Sequence, residues 1–250
     1  MAEGSQSWAL FAIRFIATRS IATRFLATRF LATRFTAKLN SMPPQPKWIC
    51  VFCASADGAS PQYLQAARDL GRLIAARGCG LVYGGATVGT MGAIADAALE
   101  AGAPVIGVIP EVIREREIDH RGLTELHVVG TMHQRKAMLA DRADAFVALP
   151  GGYGTMDEFI EIVTWAQLRI HSKPCVLANI GGYYDPLLAF LDHAVREGMI
   201  KPENRTLIQV AGTAEEAIAL VETTWQTQSE IPTHDQRLDA VVGLGGKGGS

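Results

Sequence analysis

The sequence predicts one doubly wound, Rossmann-like α/β domain with a mainly parallel sheet. Three observations carry this reading. Short, continuous apolar runs alternate with helix-period segments from residue 48 to residue 226. Two of these runs end in glycine-rich turns that open the next helix. The 250 residues include 25 glycines and only 7 % aromatics. Continuous apolar strands are those buried on both faces, as in parallel sheets. Tight strand-to-helix turns suit this architecture better than an all-β sandwich. With 48 % apolar and 19 % charged residues, the chain is globular and long enough to bury a sizeable core.

The elements follow in order. WICVFC (48–53) is a buried strand. Residues 61–77 have helical spacing, with Leu64, Ala67, Leu70 and Ile74 on one face. Residues 80–83 form a second strand, ending in Gly84-Gly85. An Ala-rich helix spans 91–101 and is closed by Gly102. PVIGVI (104–109) is a strand that stops at Pro110. Residues 111–124 are a charged loop with room for a short helix. Strands at 126–129, 145–149, 174–179 and 206–210 alternate with helices at 132–142, 155–169, 186–197 and 214–226. The tail from Thr227, ending GLGGKGG, reads as disordered.

The first 46 residues stand outside this pattern. Residues 15–34 repeat one pentad four times: FIATR, SIATR, FLATR, FLATR. The arginine-rich, acid-poor composition is that of an organellar transit peptide. The period argues against it, because a five-residue step advances about 140° on a helix and winds the arginines around the axis. A tandem-duplicated, disordered extension fits better, or a start placed too early, with Met42 before Pro43-Pro44 as the alternative start. The expected organisation is therefore an extension (1–46), a folded α/β domain (47–226) and a tail (227–250).

Charge and cysteine content exclude several classes. The net charge of −2 conceals an asymmetry. Residues 1–46 carry six basic residues and one acid, which leaves 17 basic against 24 acidic residues, a net of −7, in the rest. A general nucleic-acid binder is excluded on this balance. A phosphorylated ligand must be held locally and not by a broad positive field. Within residues 1–46, no uncharged stretch approaches the roughly 20 residues of a membrane span. Four cysteines are no disulfide scaffold, and a cytoplasmic location is expected. Cys50 and Cys53 lie three apart in a strand and face opposite sides, so they read as core and not as half a zinc site. Cys79 and Cys175 also read as core. His133 is the one histidine in a motif, whereas His120, His127, His171, His193 and His234 read as surface or loop. No H-E-x-x-H or G-x-S-x-G pattern occurs, so neither a zinc protease nor a hydrolase triad is supported.

The chemistry is expected at the carboxyl ends of the strands. YGGATVGTMG (83–92) and LPGGYGTMDE (149–158) each follow a strand and open a helix. Glycines let the backbone approach a ligand, and the free N–H groups of a helix start attract an anion. Neither turn is a Walker A loop, and the first reads G-G-x-x-x-G-x-x-G, not G-x-G-x-x-G, which disfavours NAD. The second turn places Thr155 at the predicted helix start, with Asp157 and Glu158 in the first turn. These acids serve either as helix caps or as a carboxylate held beside a phosphorylated ligand. In MHQRK (132–136), Arg135 and Lys136 point to different faces, and cations at a helix start oppose its dipole. Glu117, in REREIDH, is a loop acid.

MHQRK followed by PGGYGTMDE resembles the signature of the Lonely Guy (LOG) family, with every fixed position of P-G-G-x-G-T-x-x-E present. The resemblance extends from about Trp48 to Trp225 and includes IVTWAQLRIHSKP and GGYYDPLLAFLD. It implies a cytokinin riboside 5′-monophosphate phosphoribohydrolase, often labelled a lysine decarboxylase. By resemblance, Arg135 and Glu158 are the catalytic pair. Glu117, Met132, Lys136, Gly151, Gly152, Tyr153, Gly154, Thr155, Met156, Asp157 and Thr164 fall on nucleotide-binding positions. Gly85, Gly89 and Gly92 of the first turn are expected to contact phosphate, although Ala86 replaces a family glycine. The resemblance implies a nucleoside 5′-monophosphate substrate, no cofactor or metal, and a homodimer or higher oligomer with sites near the subunit interface. Glu158 would stabilise an oxocarbenium-like state or orient water, and Arg135 would hold the phosphate or polarise the base. The alternative is a regulatory module that binds nucleotide without turnover.

Overall fold

In the computed structural model, residues 46–114 and 120–230 are described. The expectations for residues 1–45, for Glu117 and for residues 231–250 lie outside the described residues. In chain order the elements are β1 (Trp48–Phe52), α1 (Pro61–Ala76), β2 (Gly80–Tyr83), α2 (Gly89–Glu100), β3 (Val105–Pro110), α3 (Glu111–Arg114), β4 (Glu125–Val129) and α4 (Met132–Arg142). There follow β5 (Ala145–Ala148), α5 (Tyr153–Gln167), β6 (Cys175–Ala178), a 3₁₀ turn (Ile180–Gly182), α6 (Asp185–Arg196), α7 (Pro202–Arg205), β7 (Ile208–Ala211) and α8 (Ala214–Glu230).

The seven strands make one sheet in the order β4-β3-β2-β1-β5-β6-β7, with every neighbouring pair parallel. The residues of β2, β3, β5 and β6 are all buried, as their unbroken apolar runs require. The edge strands β4 and β7 are partly exposed. Side chains from α1, α2 and α8 pack on one face around Ile49, Leu81 and Val176. Those from α4, α5 and α6 pack on the other around Cys50, Phe146 and Leu177. Cys50 and Cys53 thus do face opposite sides, and all four cysteines are buried free thiols. Among the described residues, no helix is long and apolar enough to cross a membrane.

Local chemistry explains the element starts. Ser60 caps α1 by accepting from the Gln62 N–H, and Pro61, which lacks an N–H, opens the helix. Thr131 and Gln134 form a reciprocal capping box at the start of α4. Several predicted boundaries shift, and three of the shifts bear on the site or the tail. Helices α2 and α5 begin two residues earlier than expected, because Gly89 and Gly154 lie inside the helices and not before them. Helix α8 continues into the predicted tail: Thr227 Oγ1 donates to the Thr223 carbonyl and Gln228 Nε2 to that of Ser172.

The chain lays down β1 to β4 outward from the centre. Helix α4 then crosses back beneath the sheet and delivers β5 beside β1. Sheets of this kind bind ligands where the order reverses, here at the carboxyl ends of β1 and β5.

Candidate active site

A cleft of about 270 Å³ lies at that point. It is lined by Ala54, Ala56, Asp57 and Gly58 after β1, by Thr90 of α2, and by Pro150, Gly151, Gly152 and Tyr183. A larger depression of about 650 Å³ sits at the opposite, amino edge of β6 and β7. Its polar groups are largely spent on the backbone. His171 contacts the Ile162 carbonyl, Lys173 donates to Ala140, and Thr206 and Thr224 donate to Glu203 and Leu220. The chemistry therefore belongs to the carboxyl edge.

The two glycine-rich turns differ in how open they are. In the first, the protein itself occupies part of the helix start. Thr90 Oγ1 accepts from the Ala54 N–H and donates to its carbonyl, and the Met91 N–H also donates to that carbonyl. Gly85 adopts φ +81°, Gly89 φ +62°, and Ala86 is fully buried and accepts from Tyr83 Oη. Gly92 presses on the Thr87 carbonyl: a Cβ there would stand 2.1 Å from the oxygen. In the second turn, Gly152 is the N-cap of α5, and no side chain among the described residues caps the helix. A Cβ at Gly152 or Gly154 would meet no protein atom within 4 Å. Tyr153 is 99 % exposed and Thr155 is buried beneath the turn. The N–H groups of the first helical turn have no intrahelical partner. The second turn is thus the better anion cradle.

Arg135 and Glu158, 23 residues apart in sequence, meet on adjacent helices. Arg135 Nη2 stands 3.5 Å from Glu158 Oε1, and the two residues are only 9 % and 7 % exposed. Arg135 fits because residue 84 is glycine: a Cβ there would lie 2.3 Å from Nη2. Arg135 Nε is buried and has no hydrogen-bond partner among the described residues. Burial pushes the Glu158 carboxyl above its ordinary pKa, against the opposing effect of Arg135. Because α5 starts at Tyr153, Glu158 occupies the second turn, six residues past the N-cap. Helix capping is thereby ruled out for it, and the expectation of a first-turn acid is corrected. Six residues correspond to about 9 Å along the axis, with the side chain leaning back toward the turn.

The remaining predicted residues divide. Arg135 and Lys136, expected on different faces of α4, both reach carboxylates of α5. Lys136 is engaged by carboxylates, 3.1 Å from both Asp157 Oδ2 and Glu161 Oε2, and so ties α4 to α5. Burial works against its charge, but the hydrogen bonds to Asp157 and Glu161 outweigh this and raise its pKa. Met132 opens α4 and is exposed, as is His133, and Met156 packs against the core beneath α5. Thr164 is not brought to the pair. Its Oγ1 donates to the Ile160 carbonyl on the exposed side of α5. His120 and His171 lie in loops, as expected, and are partly buried there, held to Asp96 and the Ile162 carbonyl. The sequence reading missed Gly84, Thr90 and Tyr183. The Tyr183-Tyr184 doublet directly after a predicted strand was the available signal for the last.

The cysteines beside this pair are not nucleophiles. Burial and then the Glu158 charge push the Cys53 thiol up to about 12. Among the described residues, no group of three or more His, Cys, Asp or Glu is placed to hold a metal ion.

Known proteins resemble this chain in sequence and in fold. A family model described as "possible lysine decarboxylase" matches residues 91–221. A cytokinin riboside 5′-monophosphate phosphoribohydrolase of Rhodococcoides fascians is 51 % identical over 179 residues, which is 71 % of this chain and 90 % of that protein. One from Arabidopsis thaliana is 48 % identical over 174 residues, 70 % of this chain and 81 % of its own. Among solved structures, the molybdenum cofactor carrier protein of Chlamydomonas reinhardtii superposes with a TM-score of 0.55 at 25 % identity, over 73 % of this chain and 99 % of that one. The molybdenum cofactor binding protein of Rippkaea orientalis, at 24 % identity and a TM-score of 0.56 over 72 % of this chain and 98 % of its own, shares the fold. With half of its length matched by the family model and half of its aligned residues identical to these enzymes, the chain belongs to the LOG family of cytokinin riboside 5′-monophosphate phosphoribohydrolases.

Proposed function

We propose that the protein hydrolyses the N-glycosidic bond of cytokinin riboside 5′-monophosphates, and of AMP, releasing free base and ribose 5-phosphate. The observation that carries this is the buried Arg135–Glu158 pair, set less than two turns inside a helix whose glycine start is uncapped and open. The open turn of residues 151–155 grips the 5′-phosphate through backbone N–H groups. This places C1′ of the ribose toward Glu158. As the bond to the base lengthens, positive charge grows on the ribose ring. A carboxylate held in a dry site stabilises that charge strongly, or orients the water whose oxygen ends on C1′. Arg135, with one buried N–H unsatisfied among the described residues, holds the ligand against Glu158.

Lys136 supports this chemistry from behind, by fixing α4 to α5. The older description as a lysine decarboxylase needs a neutral lysine amine for a Schiff base. Lys136 is held charged by two carboxylates, and Lys173 Nζ is engaged as a donor to the Ala140 carbonyl. We propose that the active form is a homodimer or higher oligomer. Thr164, expected at the nucleotide, faces outward near the exposed Ile160, Leu168 and Ile170, which supports a site completed by a second copy. The four buried free thiols fit a reducing, cytoplasmic setting.

The test is incubation with AMP, with isopentenyladenosine monophosphate and with the matching nucleosides, followed by chromatography for free base. Base released from the monophosphates alone supports the reading. Tight binding without release identifies a regulatory module instead.

A further inference from the structure

Two tyrosines hold the turn that the proposed chemistry depends on. Tyr184 Oη donates to the Leu149 carbonyl at 2.7 Å, and Tyr183 Oη to the Gly151 carbonyl at 2.8 Å. The two bonds bracket Pro150. The turn has few means of holding itself, because Pro150 lacks an N–H, Gly151 and Gly152 lack side chains, and no side chain caps α5. The peptide unit is planar, with its C=O and N–H pointing in opposite directions. Fixing the Gly151 carbonyl therefore fixes the direction of the Gly152 N–H, and fixing that of Leu149 sets the plane that leads into Pro150.

The tyrosines are themselves positioned firmly. The 3₁₀ turn that delivers them passes through Gly181 and Gly182, both with positive φ, where a side chain would strike Gln62 or Asp185. Asn179 accepts from the Tyr184 N–H and donates to Asp185, each at 2.7 Å. The Tyr183 ring meets Tyr63 edge-on at 5.6 Å and Tyr184 at 4.8 Å. Tyr184 is buried, and burial keeps its hydroxyl protonated, so it stays a donor.

We propose that Tyr183 and Tyr184 form a two-hydroxyl clasp that presets the 149–152 backbone for the substrate's phosphate. They are positioning residues of the reaction proposed above, and the inference rests on that reading. The clasp predicts a loss confined to phosphorylated ligands. Removing the Tyr183 hydroxyl loosens one carbonyl without touching the ring packing or the Arg135–Glu158 pair.

The test is Tyr183→Phe, compared with the unaltered protein in calorimetric titrations of ribose 5-phosphate, in inhibition by free adenine and in steady-state turnover of AMP. Ribose 5-phosphate affinity is expected to weaken about three- to tenfold, the scale of one hydrogen bond, and KM to rise in step. Expected kcat stays within about twofold, and adenine inhibition and the melting midpoint stay unchanged. Unchanged ribose 5-phosphate affinity overturns the clasp. Equal weakening of adenine and ribose 5-phosphate also overturns it, since Tyr183 would then be a cleft wall only. If the unaltered protein neither binds ribose 5-phosphate nor releases base, the proposed function itself fails first. Tyr184→Phe should reproduce the selective loss together with a lower melting midpoint, and its absence in a folded variant counts against the clasp.

Discussion

The Arg135 guanidinium occupies the space that a side chain at position 84 would need, 2.3 Å from where its Cβ would stand. Gly84→Ala must therefore displace Arg135, whose tip can move while the backbone stays. Turnover of AMP is expected to fall about 10²-fold, the scale of a misplaced catalytic group, with a much smaller change in melting midpoint. Steady-state kinetics beside a thermal melt measure both. Full activity in Gly84→Ala would show that the position of Arg135 is irrelevant to the chemistry.

Glu158→Gln keeps the shape of the site and removes its charge. The expected outcome is a fall in kcat of roughly 10²-fold or more, with a smaller change in KM, because the lost interaction belongs to the transition state. Near-normal turnover by a folded Glu158→Gln enzyme would remove this residue from the mechanism.

The pH profile should carry the same signature. Burial raises the Glu158 pKa, and Arg135 opposes the rise. The ionised carboxylate is the active form, so kcat should fall as pH drops through a value above the usual glutamate range. That limb should be absent from Glu158→Gln. In Arg135→Gln the opposing charge is gone, and the limb of the residual activity should move to still higher pH. A limb that stays in place when Arg135 is lost would assign it to another group.

Lys136 bridges Asp157 and Glu161 from one helix to the next. Lys136→Met should lower stability by about 1 kcal/mol, a shift of roughly 2–4 °C, and lower kcat, because the helices bearing the pair are no longer tied together. Lys136→Arg should restore much of the stability. A variant that changes only KM would instead place the ammonium on the substrate.

Much of the fold was legible because burial on both faces writes itself as unbroken apolar runs, as in VIGVI of β3 and AFVA of β5. The edge strand β4, carrying Glu125 and His127, writes this signal weakly. Helix starts were misplaced wherever glycine lies inside the first turn, as at Gly89 and Gly154, because glycine signals a turn in sequence. That error also left Glu158 open to a capping role that its place in the second turn removes. The pair itself was legible as a motif, but not as a contact, which depends on α4 crossing under the sheet. Gly84 and Tyr183 lie in segments the sequence singles out, but their contacts left no spacing signature. One makes room for a side chain 51 positions away, and the other bonds a carbonyl 32 positions away.

The crossover of α4 has a consequence for how the molecule assembles. Arg135 arrives at the end of the half of the sheet built from β1 to β4, and Glu158 with the half built from β5 to β7. Burying either charge alone is costly, and the cost falls once its partner arrives. The two residues that serve the reaction come from opposite halves of the sheet, so a nascent chain has no working site until both halves have closed on each other.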